Sequence, residues 1–376
     1  MPAENAFVRE ARGRRDLASF LGLPFRLYRD DPLWVPPLRA TLKAEFDPGK
    51  NPFLRHCDYA LFLLERNGRV EGRIAAMIDR LALEAWGERI GMFAYFECAE
   101  RDFEGAAALF EAAFSWLRGR GMKRVRGPWS FVSQEWGLVV EGFAPRPVVM
   151  APHNPPGYAK LVEAAGFIKA KDLLCWEISI AEGYRIPERI LSLTDRVAER
   201  LGITIRPIDL SRYEEEVALF ARLSIETLES NWGFSPITEA EVKAMARDLK
   251  PLLRPDLVLF ARNGAGRDVG FALSLPDVNA ILAKTRGRLF PTGWARLLWG
   301  LPRLKSYRMF GLGVCAEYHG RGVDALLYRA MWERMADPEL RMEINYVLED
   351  NLPMVNAITK LGARLSRRYR VYERPL

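Results

Sequence analysis

At 376 residues the chain exceeds one typical domain of about 150 residues, which points to two domains. Its 49% apolar and 27% charged residues exclude a mainly disordered chain, and no apolar run approaches the roughly 18–20 residues that cross a bilayer. The 55 basic against 48 acidic side chains leave a net charge of +7, and the window Lys284 to Arg308 (Lys284, Arg286, Arg288, Arg296, Arg303, Lys305, Arg308) matches that whole excess without one acidic residue. Such a window favours phosphate on a cofactor, an anionic lipid surface or nucleic acid.

The start, MPAENAFVREARGRRD, lacks the apolar core of a signal peptide, so a cytoplasmic protein is expected. Cys57, Cys98, Cys175 and Cys315 lie too far apart for zinc spacing or a disulfide framework, and neither metal nor disulfide is expected.

In chain order, Tyr59 to Glu65 and Val70 to Asp79 flank the turn Arg66-Asn-Gly-Arg69, the strongest short signal for a β-hairpin. A third strand at Ile90 to Cys98 precedes a helix at Phe103 to Arg118, where Ala107, Phe110, Phe114 and Leu117 recur at helical spacing. A short strand at Lys123 to Val125, a Gly- and Pro-rich stretch to Pro156, a helix near Tyr158 to Ala165 and an apolar segment Leu173 to Ile180 follow. From about Ile203 the order restarts, with a hairpin at Asp256 to Ser274 that again turns on Asn-Gly. A strand (Arg308 to Cys315), a helix (Val323 to Met335), a strand (Met342 to Leu348) and a helix (Met354 to Leu361) complete it.

The helices at Tyr158 and Met354 both stop at a glycine suited to a C-cap, Gly166 and Gly362. The pattern is a duplicated α/β unit, too long a repeat for a solenoid. It predicts domains at residues 1–190 and 191–376, with the linker between Glu182 and Gly202.

The segment that carries chemistry runs from Leu312 to Leu327, where a strand enters a glycine-containing loop that opens a helix. Amides at a helix start have no internal partner and the helix dipole adds positive charge there, so phosphate binds readily. Gly320 and Gly322 permit close backbone approach, and His319 and Arg321 add donors. Tyr-His-Gly-Arg-Gly-Val-Asp-Ala-Leu resembles the acyl-CoA pyrophosphate loop of the GNAT acyltransferases, which usually reads Arg/Gln-x-x-Gly-x-Gly/Ala. His319 stands where Arg or Gln is usual, Gly322 matches, and Asp324 replaces the second small residue, which suits a helix-capping carboxylate turned away from the phosphate.

The resemblance implies an α/β fold of two tandem GNAT-like domains, each a mixed, mostly antiparallel sheet flanked by helices. It implies acyl-CoA as co-substrate, held by Leu312, Gly313, Val314, His319, Gly320, Arg321, Gly322, Val323, Asp324 and Ala325. The run Asn345 to Ala363 resembles the strand and helix that flank the pantetheine arm, with Asn351 at the family's strand-end asparagine. The tyrosine that often serves as general acid is Ile358 here, which leaves Tyr369 or Tyr372 as substitutes.

The first half keeps the layout and loses this chemistry. Its equivalent loop, Glu97 to Glu104, holds four carboxylates and no glycine, which repel a diphosphate. Only the second half is therefore expected to bind CoA, while the first shapes the acceptor site or, alternatively, is purely structural. The loops Gly127 to Gly137 and Ala151 to Tyr158, punctuated by Gly and Pro and rich in Trp, Ser, Gln and His, look like a binding site on a scaffold. An attacking amine must lose a proton, and His153 or Glu135 are the candidates to accept it. In Pro291 to Leu301, helical spacing puts Trp294, Leu297, Leu298 and Leu301 on one face, which fits either a core helix or an interfacial helix at an anionic membrane surface.

Over nearly its full length the chain resembles the bacterial double-GNAT group that includes ceramide synthases. The carrying segments are Tyr28 to Leu38, Asn51-Pro-Phe53, Leu275 to Asn279 and Gly287 to Pro291. The resemblance implies transfer of a fatty acyl group from its CoA thioester to the amine of a sphingoid base, and the basic, apolar window of Lys284 to Arg308 agrees with it by allowing peripheral contact on the cytoplasmic face of the inner membrane. The expected chemistry is direct attack, with a backbone amide near Val314 stabilising the oxyanion, although Cys315 is a nearby nucleophile. Acetyl transfer to a small polar amine or a protein N-terminus, and non-catalytic acyl-CoA binding, remain open at this point. No recognition motif supports a nucleic-acid partner, and the oligomeric state is left open.

Overall fold

Asn67 and Gly68 both take positive φ (50° and 75°), which is what a two-residue hairpin turn requires. The second hairpin closes over five residues, Asn263 to Arg267, where the Asn263 side chain accepts from the amides of Ala265 and Arg267. The computed structural model describes residues 6–132, 135–335 and 337–376.

The strands in chain order are β1 (Ala6–Glu10), β2 (Cys57–Arg66), β3 (Arg69–Asp79), β4 (Ile90–Glu97), β5 (Arg124–Trp129), β6 (Leu138–Glu141) and β7 (Ile168–Ser179). They continue as β8 (Thr204–Pro207), β9 (Val258–Arg262), β10 (Asp268–Pro276), β11 (Ser306–Val314), β12 (Arg341–Leu348) and β13 (Arg364–Pro375). The helices that bear on the site are α1 (Phe103–Arg118), α2 (Tyr158–Ala164), α3 (Glu188–Leu201), α4 (Gly293–Gly300), α5 (Val323–Arg334) and α6 (Leu352–Lys360).

Two compact units form. The first holds the chain through Leu173, Asn279–Arg296 and Arg367–Leu376, and the second Leu174–Val278 and Leu297–Ser366. The single boundary expected near residue 190 is thus replaced by units that interleave along the chain. One physical reason is β13, which pairs antiparallel with β5 from Tyr372↔Gly127 to Pro375↔Arg124, so the C-terminal residues complete the first unit's sheet.

Each unit repeats one plan. In the first, β2, β3 and β4 form an antiparallel meander and β4 then runs parallel to β5. In the second, β9, β10 and β11 form the meander and β11 runs parallel to β12. Helix α1 follows β4 as α5 follows β11. The mixed, mostly antiparallel α/β architecture is the one the sequence predicts.

The first unit's sheet is buried on both faces, as its alternation shows. Phe62, Leu64, Ile74 and Ala76 pack with Phe110, Phe114 and Leu117 of α1, while Leu63, Ala75, Met77 and Met92 pack with Phe20, Phe46 and Phe131. Burying side chains of this size stabilises by about 1.5–3 kcal/mol each. In the second unit all nine residues of β10 are buried. No disulfide joins the described cysteines. The expected linker is helical: α3 occupies most of it and stops at Gly202, a left-handed C-cap (φ 58°).

Candidate functional site

Strand β11 pairs with β12 from Ser306↔Arg341 to Met309↔Ile344, and with β10 as far as Val314. Beyond Met309 the two parallel strands therefore part, and one edge of Phe310 to Val314 has no β12 partner. A backbone edge left this way offers donors and acceptors to a ligand. Gly313 belongs to this edge because a Cβ there would lie 2.2 Å from Thr227 Oγ1 and 2.7 Å from the Phe271 ring.

The loop beyond the strand is tied down by its own side chains. His319 Nε2 donates to the Val314 carbonyl at 2.8 Å, so the expected phosphate donor spends that proton holding the loop to the strand. The Tyr318 hydroxyl accepts from Asn263 Nδ2 at 3.0 Å, and Glu317 pairs with Arg267 at 3.0 Å. Gly320 and Gly322 have φ of 69° and 86°, and a Cβ at Gly320 would meet nothing within 4 Å. Gly322 is the N-cap of the 12-residue α5 and supplies no side-chain cap. The first backbone bond of the helix runs from Leu326 N to Gly322 O at 3.2 Å, which leaves the amides of Val323, Asp324 and Ala325 for an outside acceptor.

Arg321 is exposed beside this end and has no ion pair among the described residues. Asp324 does not take the expected capping place; it is the second residue of the helix, in the first turn. Val323 and Ala325 are buried beneath it. The missed helix α3 backs the loop, with Val197 Cγ2 only 3.1 Å from where a Gly322 Cβ would stand. Asn351 caps α6 by accepting from the Met354 amide at 3.2 Å, and Ile358 is fully buried in that helix.

Where β11 and β12 begin to part, sequence reasoning missed a buried polar network. Arg308 Nε donates to Asn345 Oδ1 at 2.8 Å, and Asn345 Nδ2 donates to Glu343 at 2.8 Å. Charged residues inside the apolar runs Tyr307-Arg308-Met309 and Met342-Glu343-Ile344 were the available signal. Burial and Glu226 push the Cys315 thiol up to about 12, which keeps it protonated and a poor nucleophile.

The first unit treats the equivalent position differently. Asp102 caps α1 by accepting from the Gly105 amide at 2.9 Å, and Arg66 grips the same carboxylate at 2.6 and 2.7 Å. Burial opposes the charge on Asp102, but the Arg66 guanidinium and the Gly105 amide hold its carboxyl below the usual range. A Cβ on Gly105 would lie 2.2 Å from Asp102 Oδ2, so the glycine serves the internal carboxylate. Glu100 is also engaged, accepting from the Gly157 amide at 2.6 Å.

The remaining candidates, His153, Glu135 and Tyr369, belong to the first unit. His153 Nε2 lies 2.6 Å from Asp31 Oδ2, and both line a cavity of about 350 Å³. Glu135 is half-buried and acts on Glu45, whose carboxyl burial and the Glu135 charge push up to about 8 while the Tyr95 hydroxyl donates to it. Tyr369 is fully buried, with its hydroxyl 3.4 Å from the Pro152 carbonyl. Ser133 and Gln134 of the adjoining loop lie outside the described residues. Ligand atoms of His56, Cys57 and Asp79 also lie within 4.8 Å of one another, but Asp79 Oδ1 already accepts from His56 Nδ1 (2.8 Å) and the Leu81 amide (2.9 Å).

Helix α4 does not form part of a core. Trp294, Leu298 and Trp299 are 48%, 62% and 76% exposed, and Phe290 just before it 79%. Among the described residues no helix is long and apolar enough to cross a membrane.

No protein-family model matches the chain. Protein YghO of Escherichia coli (strain K12) is 34% identical over 384 residues, covering 100% of this chain and 97% of its own. The bacterial ceramide synthase of Caulobacter vibrioides (strain NA1000 / CB15N) is 35% identical over 372 residues, covering 96% and 95%. Among solved structures, a tandem GNAT protein from the clavulanic acid biosynthesis pathway shares the fold with a TM-score of 0.53 at 13% identity, over 99% of this chain and 98% of its own. Likeness along nearly the whole of both chains, on a duplicated fold with one helix start left open, makes this protein an N-acyltransferase of the tandem GNAT family that includes the bacterial ceramide synthase.

Proposed function

We propose that this enzyme transfers a fatty acyl group from acyl-CoA to the amine of a long-chain, sphingoid-type base, giving a ceramide-type amide. The observation that carries the reading is the uncapped start of α5 behind the parted strands β11 and β12, on a chain whose relative is named for ceramide synthesis. The diphosphate of CoA is assigned to the amides of Val323, Asp324 and Ala325 with Arg321, and Gly320 and Gly322 allow the approach. The edge Leu312, Gly313 and Val314 lines the thioester, and Asn351 fixes the turn on the far strand.

The amine nitrogen attacks the thioester carbonyl carbon directly. An amide near Val314 donates to the oxyanion, the C–S bond then breaks, and the CoA thiolate takes up a proton. No acyl-enzyme forms, in keeping with the protonated Cys315. His153, oriented by Asp31, is the proposed acceptor of the amine proton, ahead of Glu135 and the buried Tyr369. In this reading the second half binds CoA and the first shapes the acceptor site.

Peripheral binding to an anionic membrane surface belongs to the same proposal. Lys284, Arg286, Arg288, Arg296 and Arg303 make no ion pair among the described residues, and the exposed Phe290, Leu298 and Trp299 lie in the same stretch of chain.

Free-thiol release is the test, with palmitoyl-CoA or acetyl-CoA and sphinganine or a small polar amine. Release that needs both long-chain partners supports the reading. Turnover with acetyl-CoA and polar amines, and none with sphinganine, overturns the acceptor.

A further inference from the structure

The first unit keeps a cavity beside the end of β4, and two carboxylates, Asp31 and Glu100, line it. The cavity, about 350 Å³, opens beside Cys98 and Glu100, directly after β4. Cys315 and Glu317 hold the corresponding places after β11. Its size suits about a dozen heavy atoms at the ~30 Å³ each that water takes in the liquid, near the lower end of ligand pockets.

The walls divide by chemistry. Leu27, Leu33 and Phe143 are apolar, Asp31 and Glu100 are carboxylates, and no lysine or arginine is among the described residues that line it. Asp31 is only partly exposed (28% of its side chain), and the Leu33 amide donates to it at 2.8 Å. Burial works against its charge, yet the His153 hydrogen bond and the Leu33 and Trp34 amides hold its carboxyl below the usual range. Tyr28, which lines the cavity, donates to Tyr158 (3.1 Å), and Tyr158 donates to the Cys98 carbonyl (2.8 Å). A phosphate is repelled from such a space, whereas a cation carried on an apolar chain satisfies both halves of it.

We propose that this cavity binds the ammonium head and first methylenes of a long-chain amine, with Asp31 and Glu100 taking the charge and Leu27, Leu33 and Phe143 the chain. The identification of that amine with the acyl acceptor rests on the N-acyltransferase reading above; the preference for a cation on an apolar chain rests on the cavity. Bound there, the ammonium lies in the same cavity as His153, the group assigned its proton.

The test uses the full chain without CoA and measures binding calorimetrically for decylamine, decanol and decanoate below their micelle concentrations. Decylamine is expected to bind at least about 10-fold more tightly than decanol, and decanoate more weakly still. Asp31→Asn is expected to weaken decylamine by about 10-fold or more and leave decanol unchanged. Glu100→Gln, at an exposed position, supplies a second reading should Asp31→Asn lower the melting temperature. Equal affinity for decylamine and decanol, or decylamine binding untouched by both substitutions, overturns the assignment. If acyl transfer to sphinganine proceeds although decylamine does not bind, the cavity assignment falls and the enzyme reading stands. If decylamine binds as described but no amine releases thiol from any acyl-CoA, the enzyme reading falls and the cavity keeps its ligand.

Discussion

Helices α1 and α5 start from the same place in two copies of one plan, each just after the first strand of a parallel pair. At α1 the orphan amide of Gly105 is satisfied by Asp102, and Arg66 neutralises that carboxylate, so the anion is part of the protein. At α5 the cap is Gly322, the side chain beside it is the exposed Arg321, and the first helix bond is made by the Leu326 amide, so the amides of Val323 to Ala325 have no partner inside the helix. Two copies of one plan thus differ in a few side chains at a helix start, which decide whether its amides are capped from within or left open.

The largest expected effect separates the roles of the two units. His153→Ala should lower kcat by about 100-fold or more, the usual scale for losing a general base, while CoA affinity stays the same. Stopped-time thiol release and CoA titration of the same preparation check both halves of that statement. Next, Arg321→Glu should raise the KM for acyl-CoA by about 10- to 100-fold, since it turns a favourable charge beside a diphosphate into a repulsive one. Its melting temperature should not move, because the residue is exposed.

At α1 the same kind of change acts on stability instead. Asp102→Ala should cost about 1–2 kcal/mol and leave the KM for acyl-CoA unaltered. The native carboxyl of Asp102 is held below its unfolded value, so its contribution is present above the unfolded pKa and is lost as pH falls through the folded one. The deficit of the variant, followed by thermal melts, should therefore shrink in acid.

The smallest effect concerns Glu45, bonded to Tyr95 where β4 and β5 part. Its folded pKa, about 8, lies above the ordinary carboxylate value, so ionisation penalises the folded state increasingly from about pH 4.5 to pH 8. Glu45→Gln should melt a few degrees higher than the parent at pH 8 and show less of that gain at pH 5. A constant gain across this range contradicts the role given to the charge.

Much of the site was legible because it is local. Leu312 to Leu327 holds the strand end, both glycines and the helix start in one run, and Glu97 to Glu104 shows its four carboxylates in another. Long-range pairings were not legible. Asp31 and His153 are 122 residues apart, and nothing in the alternation of β13 says that its partner is β5 rather than a strand of its own half. His319 was expected to face the phosphate, but spacing does not reveal a bond to a carbonyl five residues back. Helix α3 could have been found from Ile190, Thr194 and Val197, all buried at helical spacing, within a stretch that otherwise reads as a polar linker.

The central claim is that one helix start binds CoA and its twin does not. Calorimetric titration of CoA into the full chain tests it most directly. One CoA per chain is expected, weakened at least about 10-fold by Arg321→Glu and unaffected by Asp102→Ala. Two molecules per chain, or one that survives Arg321→Glu and is lost with Asp102→Ala, would contradict it.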